Sequence, residues 1–170
     1  MNRQIPQHHK LAGLTVKTSN LCSEITLPTG IDKDGRDRTA VCCLSSLNIE
    51  KYDEWKNDGN FIEDVMRFLD NVMTDFIENA PEQFRDATYS ALRERSVGLG
   101  VMGLHSYFQK KMMPIESVMS KVWNKKMFEH IQTHVDKASK DLAEERGACP
   151  DAEDYGIMER FSIENLSIIP

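Results

Sequence analysis

The chain has 170 residues, 40% of them hydrophobic and 28% charged, which is the composition of a single soluble globular domain. Its net charge of −6 argues against a nucleic-acid surface, which needs a basic face, and no stretch is long and apolar enough to predict a membrane span. Because no apolar signal-peptide core is present, we expect a cytoplasmic chain whose four cysteines are reduced.

The first third of the chain predicts short extended segments. Residues 1–17 have no clear period and are expected to form an irregular lead-in or a short strand. Residues 18–27 are typical of an extended segment, residues 32–38 of a charged hairpin turn around Asp34-Gly35, and residues 39–44 of an apolar strand.

The rest of the chain is predicted to be mainly helical. A helix over residues 61–79, with Asn60 as its N-cap, has an apolar face at helical spacing. That face comprises Phe61, Val65, Phe68, Leu69, Val72, Met73, Phe76 and Ile77. Further helices are predicted over residues 81–95, 103–111 and 116–146, a short strand over 96–101, and a last strand over 164–170. The apolar face of the long helix comprises Val118, Val122, Phe128, Ile131, Val135, Ala138 and Leu142, and Gly147 is its C-cap. Alternating strands and helices favour the α/β class.

The hexapeptide Ser19-Asn20-Leu21-Cys22-Ser23-Glu24 places an amide, a thiol and a carboxylate at alternate positions. In an extended backbone these three side chains project from one face. A thiol beside a potential base and a hydrogen-bonding amide is a plausible reaction centre. A half-buried strand with incidental polar residues is the alternative interpretation.

Several longer motifs occur in a fixed order: SNLCSEI, VCCLSSLNIE, RSVGLGVMGLHSYF, KASKDLAEERGACP and a final NLSIIP. Together they resemble the large catalytic subunit of class I ribonucleotide reductase. The resemblance implies a ten-stranded α/β barrel with a finger loop in its centre, and residues 18–170 would form an incomplete part of that barrel domain. Because the resembled subunit is several times longer, we expect a piece of a split, interrupted or truncated large subunit.

The resemblance also assigns roles in the hexapeptide. It implies that Cys22 becomes a thiyl radical that removes the 3′ hydrogen of the ribose. Glu24 would accept the proton of the 3′-hydroxyl, and Asn20 would orient the substrate hydroxyls. Ser19 and Leu44 are expected to bind substrate together with Asn20.

The vicinal thiols Cys42 and Cys43 need separate treatment. No CxxC or HxxxH partner stands at zinc spacing from them, so no metal site is expected there. The resemblance implies that Cys42 is the reducing thiol, whose disulfide partner lies outside this chain. If the register slips by one residue, Cys43 takes that role; on a strand only one of the two can face the site. Cys149 is expected to be structural.

The glycines at 98, 100 and 103 match a dinucleotide-binding fingerprint literally. A genuine site needs an acidic residue about twenty positions further on, where this chain has Trp123. Close packing of a strand against a helix is therefore the favoured account of these glycines.

The resemblance implies several partners. They are the remaining large-subunit pieces, a separate metal-containing small subunit that supplies the radical, a ribonucleoside diphosphate, and thioredoxin or glutaredoxin as reductant. The chain itself is expected to bind no cofactor, no metal and no nucleic acid, and to be inactive alone. Two alternatives stay open: a piece of an adenosylcobalamin-dependent class II reductase, or a non-enzymatic remnant or interaction module.

Overall fold

A computed structural model describes residues 7–17 and 27–161. Within these residues, short strands and seven α-helices follow one another along the chain. The strands are β1 (Gly30–Ile31), β2 (Asp37–Arg38), β3 (Cys43–Asn48) and β4 (Val97–Met102). The helices are α1 (Gln7–Leu11), α2 (Tyr52–Trp55), α3 (Phe61–Asn79), α4 (Arg85–Glu94), α5 (Leu104–Lys110), α6 (Val118–Arg146) and α7 (Pro150–Glu153). Two 3₁₀ turns, Ile49–Lys51 and Glu82–Phe84, precede α2 and α4. The predicted final strand over residues 164–170 lies outside the described residues.

The predicted helix at residues 61–79 is confirmed, but its buried face is rotated from the prediction. The buried apolar positions are Ile62, Met66, Leu69 and Met73, while Phe68 and Val72 are 62% and 38% exposed. The helix is apolar on more than one side, and α6 packs along the side that carries Ile62 and Met66. Asn60 stands at the N-cap position without a side-chain hydrogen bond to the helix.

The predicted long helix is also confirmed, and it ends at Gly147, which has a φ of +87°. Its buried positions include Met127, Ile131, Val135, Ala138 and Leu142. Val118 and Val122, which are predicted to lie on the same apolar face, are 76% and 53% exposed. The side of the first turns of α6 that carries Val118 and Val122 therefore faces away from the core.

Strands β3 and β4 pair in parallel, with Cys43 opposite Val97 and Asn48 opposite Met102. The strand predicted at residues 39–44 is observed further along the chain, at Cys43–Asn48. The β1–β2 hairpin ends at Arg38, and the backbone N–H of Thr39 donates to the Ser90 hydroxyl (2.8 Å) instead of to a strand. Pairing with the β4 segment starts where the Cys43 N–H donates to the Ser96 carbonyl (3.2 Å).

One face of the β3–β4 pair is covered by helices. Leu47 and Leu99 are buried against α3 and α6, and Cys43, Val97 and Val101 pack against the same core. The opposite face carries Leu44 and Met102, which are 56% and 55% exposed. The core therefore lies on one side of the sheet, and the other side is open in the described residues.

The segment that precedes the hexapeptide differs from prediction. Residues 7–11 form the short helix α1, not an irregular stretch or a strand, and Leu14 and Val16 are buried. The hairpin predicted around Asp34-Gly35 is confirmed: β1 and β2 pair antiparallel, and Gly35 turns the chain with a φ of +73°.

No helix in the two described stretches is long and apolar enough to cross a membrane.

Gly103 connects β4 to α5 and packs closely against Asn48 and Glu50. It has a φ of +79°, and a Cβ there would lie 2.9 Å from Asn48 Oδ1 and 3.1 Å from the Glu50 nitrogen. We expect Gly103→Ala to lower the free energy of unfolding by about 1–3 kcal/mol in urea denaturation, because strain and close contact add. Gly59→Ala, at a position with open space around it, is the matched control and should cause no loss. Equal stability of the two variants would contradict this account of Gly103.

Candidate functional site

The predicted site residues fall into two groups. Ser19, Asn20, Cys22 and Glu24 lie outside the described residues. Cys42, Cys43 and Leu44 are described and lie together at the start of β3.

The chain enters and leaves the hexapeptide region at one place. The Thr29 N–H donates to the Thr15 carbonyl (3.1 Å), and the Lys17 N–H donates to the Thr29 hydroxyl (3.3 Å). The two stems, residues 14–17 and 27–29, are therefore neighbours, and residues 18–26 connect them.

A buried ion-pair cluster centred on Arg38 and Asp151 anchors both stems. Arg38 donates through Nη1 and Nη2 to the two Asp151 oxygens, each at 3.0 Å, and through Nε to Asp32 (2.9 Å). His9 Nε2 lies 3.6 Å from Asp151 Oδ2, and Arg93 Nη2 lies 2.7 Å from Asp151 Oδ1. Helix α1 before the hexapeptide and the hairpin after it are thus held by the same carboxylates.

Asp32 remains ionised in this cluster. Burial alone would raise its pKa, but hydrogen bonds from the Arg36 backbone N–H, the Tyr89 hydroxyl and the Arg38 guanidinium lower the pKa to about 2. The carboxylate therefore accepts charge-assisted hydrogen bonds that fix the hairpin turn.

The two vicinal cysteines have different surroundings. The Cys43 side chain packs against the helical core, and burial raises its pKa, an effect that the nearby Arg95 charge opposes. Leu44 next to it is 56% exposed on the open face. Cys42 stands just before the strand and is half-buried. A raised pKa leaves Cys43 less thiolate, the reactive form in disulfide chemistry.

The open face beside Leu44 carries a small side chain and a glycine. Ser46 faces the same side, and Gly100 of β4 lies opposite it in the register. A Cβ at Gly100 would approach the Ser46 hydroxyl to 3.3 Å. The strand therefore presents a small polar group beside bare backbone, a surface that a ligand can approach closely.

A second buried cluster stabilises the end of the sheet where Cys43 pairs with Val97. The Asp70 carboxylate of α3 binds three guanidinium groups: Arg95 Nη2 at 2.6 Å, Arg146 Nη1 at 2.8 Å and Arg160 Nε at 2.9 Å. Burial would raise the pKa of Asp70, but these arginines lower it. Arg95 is held in a left-handed conformation (φ 42°) immediately before β4, so the cluster fixes the residues that pair with Cys43.

Cys149 is fully buried, and its backbone N–H donates to the Glu159 carbonyl (2.9 Å), which fits the structural role expected for it. In the described parts of the chain, no group of three or more His, Cys, Asp or Glu side chains could hold a metal ion.

Comparison with known proteins decides the family. The family described as ribonucleotide reductase, barrel domain, matches residues 1–163. The chain belongs to this family. The reductase large subunit of Invertebrate iridescent virus 3 is 45% identical over 95% of this chain, and a putative large subunit of Frog virus 3 is 42% identical over 92%. The class Id ribonucleotide reductase alpha subunit of Actinobacillus ureae has 36% sequence identity and a TM-score of 0.82 over 96% of this chain.

This reductase-barrel chain spans about a quarter of the length of the viral relatives, 24% and 27%, and 31% of the Actinobacillus subunit. The α/β class and the reductase type of fold are confirmed. The closed ten-stranded barrel is not present: the described residues contain one parallel pair and one hairpin, each two strands wide. The fold is therefore a part of the barrel.

Sequence reasoning missed the buried charge clusters of this reductase barrel. Arg38 and Asp151 are far apart in the chain, and no local pattern marks their pairing. It also missed a histidine pair in α6, His130 and His134, whose i, i+4 spacing is itself a sequence signal.

Asp70→Asn tests whether the cluster of Asp70 and three arginines stabilises the end of the sheet where Cys43 lies. Removing the charge leaves three guanidinium groups around a neutral side chain, so we expect a loss of about 3–5 kcal/mol in the free energy of unfolding. Glu63→Gln, which breaks a part-exposed pair with Arg67 on the same helix, is the control and should lose less than about 1 kcal/mol. Urea denaturation measures both, and similar losses would refute a special role for Asp70.

The lowered pKa of Asp32 predicts a pH dependence. A carboxyl whose folded pKa is depressed adds stability above its unfolded pKa of 3.8 and loses it as the pH falls towards about 2. The stability advantage of the wild type over Asp32→Asn should therefore shrink between pH 5 and about pH 2. Asp34→Asn, which removes an exposed carboxylate from the same turn, is the control variant in the same denaturation series. An advantage independent of pH for Asp32 would contradict the assignment.

Proposed function

We propose that this chain is part of the large subunit of a class I ribonucleoside-diphosphate reductase, which reduces ribonucleoside diphosphates to deoxyribonucleoside diphosphates for DNA synthesis. One observation carries the proposal: in a chain of the reductase-barrel family, Cys42 stands just before a strand that begins with Cys43, and Cys43 packs into the helical core. The similarity to large subunits of viral reductases and to a class Id alpha subunit supports the class I assignment.

In this proposal Cys22 is the thiyl radical that takes the 3′ hydrogen of the ribose. Glu24 accepts the proton of the 3′-hydroxyl, and Asn20 and Ser19 orient the substrate. The supporting geometry is the pair of adjoining stems at Thr15 and Thr29, which brings both ends of residues 18–26 to one point.

Cys42 is proposed as the reducing thiol. Side chains alternate along an extended chain, so Cys42 belongs to the face of Leu44 and Cys43 to the core face. The packing and the raised pKa of Cys43 favour this choice over the register shifted by one residue. Cys42 and a cysteine outside this chain would form a disulfide and give up two hydrogens, one of which leaves with the 2′-hydroxyl as water while the other takes its place on C2′.

The partners follow from the same proposal. A metal-containing small subunit supplies the radical, the remaining large-subunit pieces complete the barrel, and thioredoxin or glutaredoxin reduces the disulfide in the cytoplasm. No cofactor held by this chain takes part in the reduction. The isolated chain is expected to be inactive.

The test is reduction of a ribonucleoside diphosphate by this chain with the complementary large-subunit pieces, the small subunit and dithiothreitol. We expect activity that requires the chain and disappears with Cys22→Ser. Cys42→Ser should abolish repeated turnover, whereas Cys43→Ala, the adjacent control, should retain activity.

Three results would argue against parts of this proposal. Retained turnover in Cys42→Ser together with its loss in Cys43→Ala would reverse the two cysteine roles. Activity that needs adenosylcobalamin in place of the small subunit would assign class II. A folded, assembled complex without activity would favour an interaction module or remnant.

A further inference from the structure

Helix α6 carries two histidines one turn apart, His130 and His134. Their ring centres are 4.4 Å apart with an angle of 83° between the planes, and both residues are half-buried. Residues at i and i+4 are neighbours on a helix, so the two imidazoles share one small volume.

A hydrogen bond assigns the protonated nitrogen of one of the two rings. His134 Nδ1 lies 2.9 Å from the His130 carbonyl oxygen, which can only accept, so this nitrogen carries the proton and Nε2 keeps a lone pair. His130 Nδ1 lies 3.0 Å from the Tyr52 hydroxyl, which can donate or accept, and in the tautomer that binds a metal through Nε2 the hydroxyl accepts from Nδ1. In metal sites, a ligating histidine almost always donates its other N–H to a carbonyl, carboxylate or water.

Neighbouring aromatic rings hold His130 in place. Trp55 is stacked against it with ring centres 6.3 Å apart, and Tyr52 meets it edge-on at 5.7 Å. Tyr52 and Trp55 are themselves buried, at 4% and 9% exposure. The orientation of one imidazole is thus fixed before any ligand arrives.

We propose that His130 and His134 bind one borderline divalent cation, such as Ni²⁺, Zn²⁺ or Cu²⁺, through their Nε2 atoms, with water in the other positions. An imidazole nitrogen lies about 2.0–2.1 Å from such an ion, so two rings on one ion have centres roughly 4.5–5 Å apart. The observed distance between the ring centres, 4.4 Å, is close to that range. Imidazole is a preferred ligand for these metals.

The site is separate from the reductase chemistry proposed above. No third His, Cys, Asp or Glu in the described residues completes a metal cluster here, so the chelate has two protein ligands and modest affinity.

Titration calorimetry of the full chain with NiCl₂ tests the proposal. The wild type should bind Ni²⁺ at this pair, and His130→Gln or His134→Gln should each raise Kd roughly tenfold or more, because a chelate needs both nitrogens. His105→Gln, an exposed lone histidine in α5, and His8→Gln are the controls and should change Kd less than about twofold. Circular dichroism should show the same helix content in all four variants.

Unchanged Ni²⁺ binding in both α6 variants, or a loss caused by His105→Gln or His8→Gln, would overturn the proposal. A second measurement uses the wild type alone. Ni²⁺ should protect His130 and His134, but not His105, from modification by diethyl pyrocarbonate, as read by mass spectrometry. Equal modification of all three with and without Ni²⁺ would also overturn it.

Discussion

The paired Arg38 and Asp151 side chains are the interaction on which the described fold most depends. Both are almost completely buried, and each would carry a large desolvation penalty alone. The bidentate geometry and the further contacts to Asp32, His9 and Arg93 offset that penalty. The helices α1, α4 and α7 and the hairpin all meet at this pair. Its geometry therefore sets the relative positions of the described segments on either side of residues 18–26.

The two faces of the β3–β4 pair differ: helices cover one face, and the other is open in the described residues. Parallel strands are usually covered on both faces, and within the described residues helices cover the face of Leu47 and Leu99. The other face carries Leu44, Ser46 and bare glycine backbone. The chain spans about a quarter of the length of its viral relative from Invertebrate iridescent virus 3.

Local patterns predicted α3, α6, β4 and the hairpin because periodicity, caps and turn residues act within a few positions. They failed where tertiary contacts decide: Phe68 and Val72 share an apolar helix with Ile62 and Met66, and only packing against α6 selects the buried side. Buried charges left no local signal, since Asp70 meets arginines from three distant segments. The resemblance supplied roles for Cys22 and Cys42 that spacing alone could not.

The connection between β3 and β4 runs through α2, α3 and α4, and this has a consequence for the order of folding. Closing such a long loop costs entropy before the strand pair returns any stability. Helix α3 needs only local contacts, whereas the cysteine strand has no partner until the distant strand arrives. Strand β3, which begins at Cys43, therefore gains its strand partner only when the intervening helices have returned the chain to residues 97–102.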